Sequence, residues 1–330
     1  MVNTPIMKFF NRMKKLILFI CLGVFSANWA SAQSRKYVSQ FNQFQSYFNP
    51  GLTGYEGSTF RGFVRNQWAG FEGAPKTYFV SLEIDPSEIK GSGEENIVEG
   101  KNAIGVNLVK DQYGPFKDTE MVISYASRIR VGKSSNLRLG AAMNYSMVGL
   151  DGNNLTTEQA DDPTVNQFLN SFANMTILDF NLGMALTSQN YYFSYAAHNL
   201  NRGGISSGDI FLESKPIVSI FQTGFRHSVT PNVSIFSHVM YRIQSDLPST
   251  MEFNIKALLM EKVWVGVGHR IDYAFNMQLG YAMPKFKFGY AYEMPVSGSY
   301  LIPNPTHEFM LSYYLFRKSD SMRKVGDLIW

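Results

Sequence analysis

Hydrophobic and polar residues alternate with a period of two along successive segments of about ten residues. Between residues 232 and 243, one face of an extended chain would carry Val233, Ile235, Val239, Tyr241 and Ile243, and the other face polar residues. Such alternation is typical of β-strands, because successive side chains point to opposite faces. After the first 32 residues no apolar run reaches the ~18 residues that a membrane-spanning helix needs. A closed barrel is the other structure that can cross a bilayer.

Fourteen segments with this pattern are predicted strands, which begin near Thr59, Thr77, Ala103, Glu120, Asn136, Thr176, Tyr191, Ile217, Asn232, Met251, Val263, Ala274, Phe286 and His307. Connections after even-numbered strands are short, and those after odd-numbered strands are mostly longer. A long connection over 86–102 and a short one over 271–273 depart from this rule. Outer-membrane barrels have even strand numbers, short periplasmic turns and long outer loops. We therefore expect an all-β fold, a transmembrane antiparallel β-barrel of about 14 strands with both barrel termini periplasmic.

A soluble β-sandwich is the alternative, since its strands also have one apolar face. Charged residues make up 17% of the chain and aromatic residues 15%, against roughly 25% charged residues in soluble domains. A sandwich would be expected to have fewer strands and more charged outer faces. The composition thus favours a barrel with an apolar exterior in contact with outer-membrane lipid.

Residues 1–32 have the pattern of a signal peptide with an upstream extension. Met13-Lys14-Lys15 is a positive region, residues 16–25 are apolar, and Ala30-Ser31-Ala32 is a cleavage signal before Gln33. Cleavage would remove Cys21, the single cysteine, and leave 26 cationic and 26 acidic residues. Disulfide frameworks and cysteine-based sites are then excluded, and no nucleic-acid partner is expected.

Three further segments complete the predicted organisation. Residues 33–57 are rich in Gln, Asn, Phe and Tyr and form an N-terminal arm in the periplasm or a plug in the lumen. Residues 58–316 form the outer-membrane β-barrel. Residues 317–330 form a charged periplasmic C-terminal tail.

Two sequence blocks resemble the PorP/SprF family of type IX secretion system membrane proteins. The first runs from Phe44 to Gly54 and includes Asn49, Pro50 and Gly54, with Gly51 where the family usually has Ala. The second block is Arg65-Asn66-Gln67-Trp68-Ala69-Gly70-Phe71-Glu72-Gly73-Ala74-Pro75. Weaker similarities extend to Phe316. The resemblance implies an outer-membrane barrel that serves the secretion or surface attachment of large adhesin-like proteins, including those of gliding motility. It brings no catalytic residues.

The second block also has a structural interpretation. Arg65, Gln67 and Trp68 are expected near the outer end of the first strand, where Trp68 could be an interfacial girdle aromatic. Gly70, Gly73, Ala74 and Pro75 belong to the first outer loop, whose backbone the glycines and proline would shape. The functional interpretation is that this loop is a docking surface for a partner. Both interpretations remain open at the level of sequence.

Charged residues on the polar strand faces are expected to point into the lumen. They are Arg128, Arg130, Arg138, Arg242, Glu252 and Lys256. Such charges either tune the selectivity of a pore or pair with each other and brace the interior. The five histidines lack metal-site spacing, and His307-Glu308 would point to opposite faces. We expect no metal, no cofactor and no catalytic site.

The sequence therefore predicts a non-catalytic outer-membrane component of the type IX secretion system. Its expected partners are other components of that system and a large secreted surface adhesin. The alternative is a passive channel for small or hydrophobic solutes, which a closed lumen would contradict.

Overall fold

The computed structural model describes residues 36–89, 102–132, 134–154, 168–169, 171–210, 214–296, 302 and 304–316. The predicted signal peptide and the predicted C-terminal tail lie outside these residues. The described chain from Lys36 onward is one compact unit.

Fourteen antiparallel strands form a closed ring, in which each strand pairs with its neighbours and β1 pairs with β15. The ring consists of β1 (Thr59–Asn66), β2 (Lys76–Ile84), β3 (Asn102–Tyr113), β4 (Phe116–Arg130), β5 (Ser135–Asp151), β6 (Phe172–Ser188), β7 (Tyr191–His198), β9 (Val218–Thr230), β10 (Val233–Ile243), β11 (Thr250–Leu259), β12 (Val263–Arg270), β13 (Ala274–Ala282), β14 (Phe286–Pro295) and β15 (Thr306–Tyr314). A further strand, β8 (Ile205–Gly208), pairs only with β6, beyond the end of β7. The prediction of a 14-stranded antiparallel barrel is thus confirmed.

Three details differ from the sequence prediction. Strands β4 and β6 each begin four residues earlier than expected, at Phe116 and Phe172. The connection between β3 and β4 is consequently only Gly114-Pro115, a second short connection after an odd-numbered strand. The strand β8 was missed, because four residues are too few for a period of two to be recognised.

The short connections after β4, β6, β9, β11 and β13 all lie at one end of the barrel, which we call the short-turn end. We call the opposite end, where β1 ends and β2 begins, the loop end. Two short helices flank the strands: α1 (Gln45–Phe48) precedes β1, and α2 (Pro86–Ile89) follows β2 at the short-turn end. Within the described residues, no helix is both long and apolar enough to cross a membrane.

The strand faces differ in burial as the alternation predicts. On β2, the outward residues Tyr78, Val80 and Leu82 are 41–47% exposed, while the inward residues Phe79 and Ser81 are nearly inaccessible. An apolar outer surface is the inverse of a soluble protein and suits a barrel surrounded by lipid.

The interior is filled by residues 36–57, which we call the plug. It contains a 3₁₀ turn (Phe41–Gln43), the helix α1 and a second 3₁₀ turn (Pro50–Leu52). The plug aromatic residues Phe41, Phe44 and Phe48 are at most 2% exposed. They pack against inward residues of the wall, including Phe63, Phe79, Phe236 and Trp264. The main hydrophobic core therefore lies between plug and wall, inside the lumen.

Candidate functional site

The plug crosses the lumen from one end to the other. Near its start, Tyr37 contacts Tyr273 of the β12–β13 turn, with ring centroids 5.0 Å apart, at the loop end. Near its end, the Ser58 nitrogen donates to Glu88 of α2 at the short-turn end. The plug thus descends through the barrel before the chain turns into β1.

Ser39 of the plug is held through every polar atom that it has. Its backbone nitrogen donates to Glu308 at 2.9 Å, and its hydroxyl donates to Glu293 at 2.7 Å. The same hydroxyl accepts a 2.7 Å hydrogen bond from Arg65. Its carbonyl oxygen accepts from the side-chain amides of two more residues, Asn254 and Gln278. This arrangement fixes the plug to strands on one side of the barrel.

The side chains around Ser39 form a buried ion network. Arg65 contacts Glu293 at 2.7 Å and Glu308 at 3.1 Å. Arg270 bridges Glu252 at 3.0 Å and Glu293 at 3.4 Å. All five side chains are at most 7% exposed. Charges buried to this degree require such pairing, so the network ties β1, β11, β12, β14 and β15 together beneath the plug.

A second network surrounds Glu56 near the short-turn end. Its carboxylate contacts Arg61 at 3.1 Å and Lys287 at 3.3 Å and accepts a hydrogen bond from the Tyr314 hydroxyl at 2.8 Å. Burial alone would raise the pKa of Glu56, but the Lys287 and Arg61 cations hold that pKa below its usual value. Glu83 supports the same region by accepting from the Gly54 nitrogen at 2.6 Å.

The first described residue, Lys36, is paired at the loop end. Its ammonium group lies 2.7 Å from both Asp118 and Glu120 of β4. Burial alone would lower the pKa of Lys36, but the two carboxylates raise that pKa well above its ordinary value. The Arg242 side chain donates to the Lys36 carbonyl oxygen at 3.3 Å.

The first family block fixes the plug to the opposite side of the barrel. The Asn49 amide donates to Met184 and Tyr195 carbonyl oxygens, both at 3.1 Å, and its oxygen accepts from the Gly51 nitrogen at 2.8 Å. Two strand glycines permit this approach. A Cβ at Gly140 would collide with the Pro50 and Gly51 backbone, and one at Gly183 would collide with Asn49.

Gly54, the last residue of that block, has a φ of 66°, and a Cβ there would collide with the side chain of Ala103. Positive φ is readily adopted only by glycine. The structure therefore brings Asn49, Pro50 and Gly54 together as residues that dock the plug on the wall.

The second family block divides between the wall and a loop. Arg65 is in the ion network, while Gln67 to Pro75 connect β1 and β2 at the loop end. Trp68 has a φ of 50°, and Gly70 and Gly73 have φ of 90° and 71°. Trp68 lines a depression together with Tyr37, Arg270 and Thr306.

Neighbouring segments hold this loop in place. Ala69 donates from its nitrogen to the Pro305 carbonyl at 2.7 Å, and the Asn304 amide donates to the Ala69 carbonyl at 2.9 Å. On the other side, Gly114 donates to the Gly73 carbonyl at 2.9 Å, and the Gln67 nitrogen donates to the Pro75 carbonyl at 3.0 Å. At the tip, Phe71 remains 49% exposed. Ala74 donates from its nitrogen to the Phe71 carbonyl at 3.3 Å.

The six candidate lumen charges occupy different environments. Arg138 donates to the plug carbonyls of Gly51 and Thr53, and Lys256 donates to plug residue Asn42 at 2.9 Å. Glu252 belongs to the ion network. Arg128 is partly buried, and Arg130 is exposed at the short-turn end. Arg242 contacts Lys36, as described above. Much of this charge therefore contacts the plug.

Sequence analysis missed several charges of the two networks. They are Glu56, Arg61, Glu83, Arg270, Lys287, Glu293 and Glu308. All of them except Glu56 lie on inward strand faces by the same alternation that placed Lys256 there. The sequence pattern could therefore have identified these six residues. Within the described part of the chain, no three His, Cys, Asp or Glu side chains come together as a metal site.

A closed ring with an apolar exterior and a plugged lumen that holds buried ion pairs defines the class of protein: an outer-membrane β-barrel. The family model of the type IX secretion system membrane protein PorP/SprF matches residues 30–313. The chain belongs to this family.

Solved structures with a similar shape have low sequence identity. The chain is similar to the CymD monoaromatic hydrocarbon channel, with a TM-score of 0.46, 10% identity and coverage of 84% of this chain and 92% of that one. It is also similar to the toluene transporter TodX of Pseudomonas putida, with a TM-score of 0.45, 8% identity and coverage of 85% and 94%. No curated protein matches the sequence.

Proposed function

We propose that this protein is a non-catalytic accessory of the type IX secretion system that holds or hands over a secreted adhesin-like client at the cell surface. Family membership supports a role in that system. The filled lumen supports a role that uses outer surfaces, because the plug is anchored at both ends and along both sides. In this proposal the short-turn end faces the periplasm, as in other outer-membrane barrels.

The β1–β2 loop is the proposed contact with the client or a fellow component. Its backbone is tied to the chain on either side, so binding would order little further structure and lose little entropy. Phe71 supplies an exposed aromatic side chain of the kind enriched at interfaces. In the second family block, Arg65 therefore has a structural role, and the loop around Phe71 is the proposed docking surface.

The test compares surface and secreted proteins of cells with and without this gene. Loss of one large adhesin, with other outer-membrane proteins unchanged, is the expected result. An unchanged surface proteome would contradict the proposal.

The passive-channel alternative makes a different prediction. A plug whose Phe41, Phe44 and Phe48 side chains are at most 2% exposed leaves little room for a solute path. We expect no conductance steps for the intact protein in planar bilayers, and steady conductance with a solute-size limit would favour the channel.

A further inference from the structure

Three lysines form a patch on the outer wall of the barrel, which we call the lysine patch. Lys76 of β2, Lys110 of β3 and Lys117 of β4 are exposed and lie on the outward faces of adjacent strands, at the loop end. On the described strands, every other Lys or Arg belongs by alternation to an inward face. The outward-facing Lys and Arg residues of these strands are therefore confined to one place.

The strand register brings the three lysines close together. Lys76 and Lys117 lie in one row, because each is the partner of Gln112 on the strand between them. Lys110 lies in the next row toward the short-turn end, opposite Tyr78. Neighbouring strands are about 4.8 Å apart, so Lys110 is a diagonal neighbour of both other lysines, a separation that long side chains bridge. The three ammonium groups can therefore contact one anion of sufficient size.

An apolar surface begins directly below the lysine patch. The next outward row contains Val80, Leu108 and Met121, and Val80 and Leu108 are exposed. Tyr78, beside Lys110, is an exposed aromatic residue of the kind that marks the boundary between headgroups and hydrocarbon. A cation on the lipid face is costly at the midplane of a bilayer and nearly free at its interface. The lysine patch thus lies at the level of the lipid headgroups.

Nearby carboxylates do not neutralise the lysine patch. Asp111 and Asp118 of the same strands face inward. Asp151, on the outward face of β5, accepts a hydrogen bond from the Asn153 nitrogen at 3.1 Å. Glu72 is exposed in the β1–β2 loop. Within the described residues, none of the three lysines takes part in an ion pair. Their positive charge is therefore available to a ligand.

The surroundings of the lysine patch select the kind of ligand. A molecule that contacts both the lysines and the apolar row below them must carry an anionic headgroup and hydrocarbon chains, which is the chemistry of an anionic membrane lipid. Lysine binds phosphate as a compact point charge, and clusters of basic residues attract anionic lipid headgroups. Three cations within reach of one another favour a headgroup with several negative charges over a zwitterionic one.

We propose that the lysine patch binds the phosphate groups of a multiply phosphorylated membrane lipid, whose acyl chains lie along β2, β3 and β4. Lys76, Lys110 and Lys117 contact the phosphates, and the exposed Gln112 amide donates a hydrogen bond between them. In the orientation proposed above, this lipid belongs to the outer leaflet. The inference goes beyond the proposed function and depends neither on a client nor on that orientation.

The test is native mass spectrometry of the processed full-length protein in an uncharged detergent, with diphosphoryl lipid A as the probe. We expect a complex whose dissociation constant rises at least tenfold when all three lysines are replaced by glutamine, in Lys76→Gln/Lys110→Gln/Lys117→Gln. The same triple replacement by arginine keeps the charges and should bind nearly as well as the unmodified chain. Lys110→Gln alone should weaken binding in part. Its matched control is Lys262→Gln, which removes an exposed short-turn lysine and should leave binding unchanged.

Equal dissociation constants for the triple glutamine variant and the unmodified chain would overturn the proposal. Equal affinity of the unmodified chain for phosphatidylethanolamine and lipid A would do the same, because binding would then depend on the acyl chains alone. Full displacement of lipid A by inorganic phosphate at a matched concentration of charge would indicate a site for free anions instead of lipid. The lysines are exposed, so the variants should keep the unfolding midpoint of the unmodified chain. Client retention is not measured in this assay, so the proposed function is tested separately.

Discussion

Single glycines decide where the plug can touch the wall. Gly140 of β5 and Gly183 of β6 lie under the Asn49-Pro50-Gly51 turn, and neither site has space for a Cβ. Glycine in a strand interior weakens the strand itself. The close approach of plug and wall, through the Asn49 hydrogen bonds, gives the physical reason for glycine at these positions.

We expect Gly183→Ala to destabilise the folded barrel by about 1–3 kcal/mol, because the added methyl group overpacks the contact with Asn49. Gly132→Ala is the matched control, since a Cβ there would have Ser135 as its nearest neighbour, at 4.0 Å. Denaturant unfolding in detergent, followed by tryptophan fluorescence, measures both. Equal unfolding midpoints for the two variants would contradict a close contact between Asn49 and Gly183 of β6.

The plug also depends on Glu308, whose carboxylate makes the contacts. It is fully buried and accepts from the Ser39 and Gln40 nitrogens as well as from Arg65. We expect Glu308→Ala to cost about 3–5 kcal/mol, since Arg65 loses a partner in a buried site. Glu308→Gln keeps an acceptor and should cost less. The same unfolding assay applies, and a stability equal to that of the unmodified chain would contradict the assigned role of the network.

At the scale of elements, the plug and the β1–β2 loop have different relations to the barrel. The plug supplies much of the hydrophobic core, so its removal would uncover the network around Arg65 and would take Glu56 away from Arg61 and Lys287. The loop is tied by backbone hydrogen bonds but presents Phe71 outward. Stability is therefore expected to depend on the plug, and partner binding on the loop.

Replacing Phe71 by serine should leave the unfolding midpoint unchanged, because this side chain is 49% exposed. Under the proposed function, it should lower the amount of client retained at the cell surface several-fold. Ile210→Ser changes a residue that is 63% exposed elsewhere at the loop end and serves as the control. The measurement is quantitative proteomics of the surface peptides that a protease releases from intact cells. Equal retention in both variants would argue against the loop as the docking surface.

For the whole molecule, the direction of the plug has a topological consequence. The plug begins with Lys36 at the loop end and ends beside Ser58 at the short-turn end. If the short-turn end is periplasmic, as proposed, Lys36 lies at the outer end of the barrel.

Cysteine labelling tests this orientation, since Cys21 is the single cysteine of the chain. In a Cys21→Ser background, a membrane-impermeant maleimide should label Glu72→Cys on intact cells. Lys262→Cys, an exposed short-turn residue, should react only after the outer membrane is permeabilised. The reverse pattern would place the loops in the periplasm.

Local alternation was enough to predict the barrel. The period of two, the short connections and the low charge content together predicted 14 strands, because a strand's two faces meet lipid and lumen and each environment selects its own residues. Alternation also showed that Arg138, Glu252 and Lys256 face inward. It could not identify β8, whose four residues owe their pairing to β6.

The tertiary structure determined which partners the inward side chains contact. Sequence left residues 33–57 as an arm or a plug, because an aromatic and amide-rich segment has no period that fixes its position. The described part of that segment lies inside the lumen. It is buried against Phe63, Phe79 and Trp264, and Ser39 makes several hydrogen bonds to wall residues. The pairing of Arg65 with Glu293 and Glu308 joins residues more than 200 positions apart. The alternation determined which face each side chain occupies, and closure of the ring determined its partner.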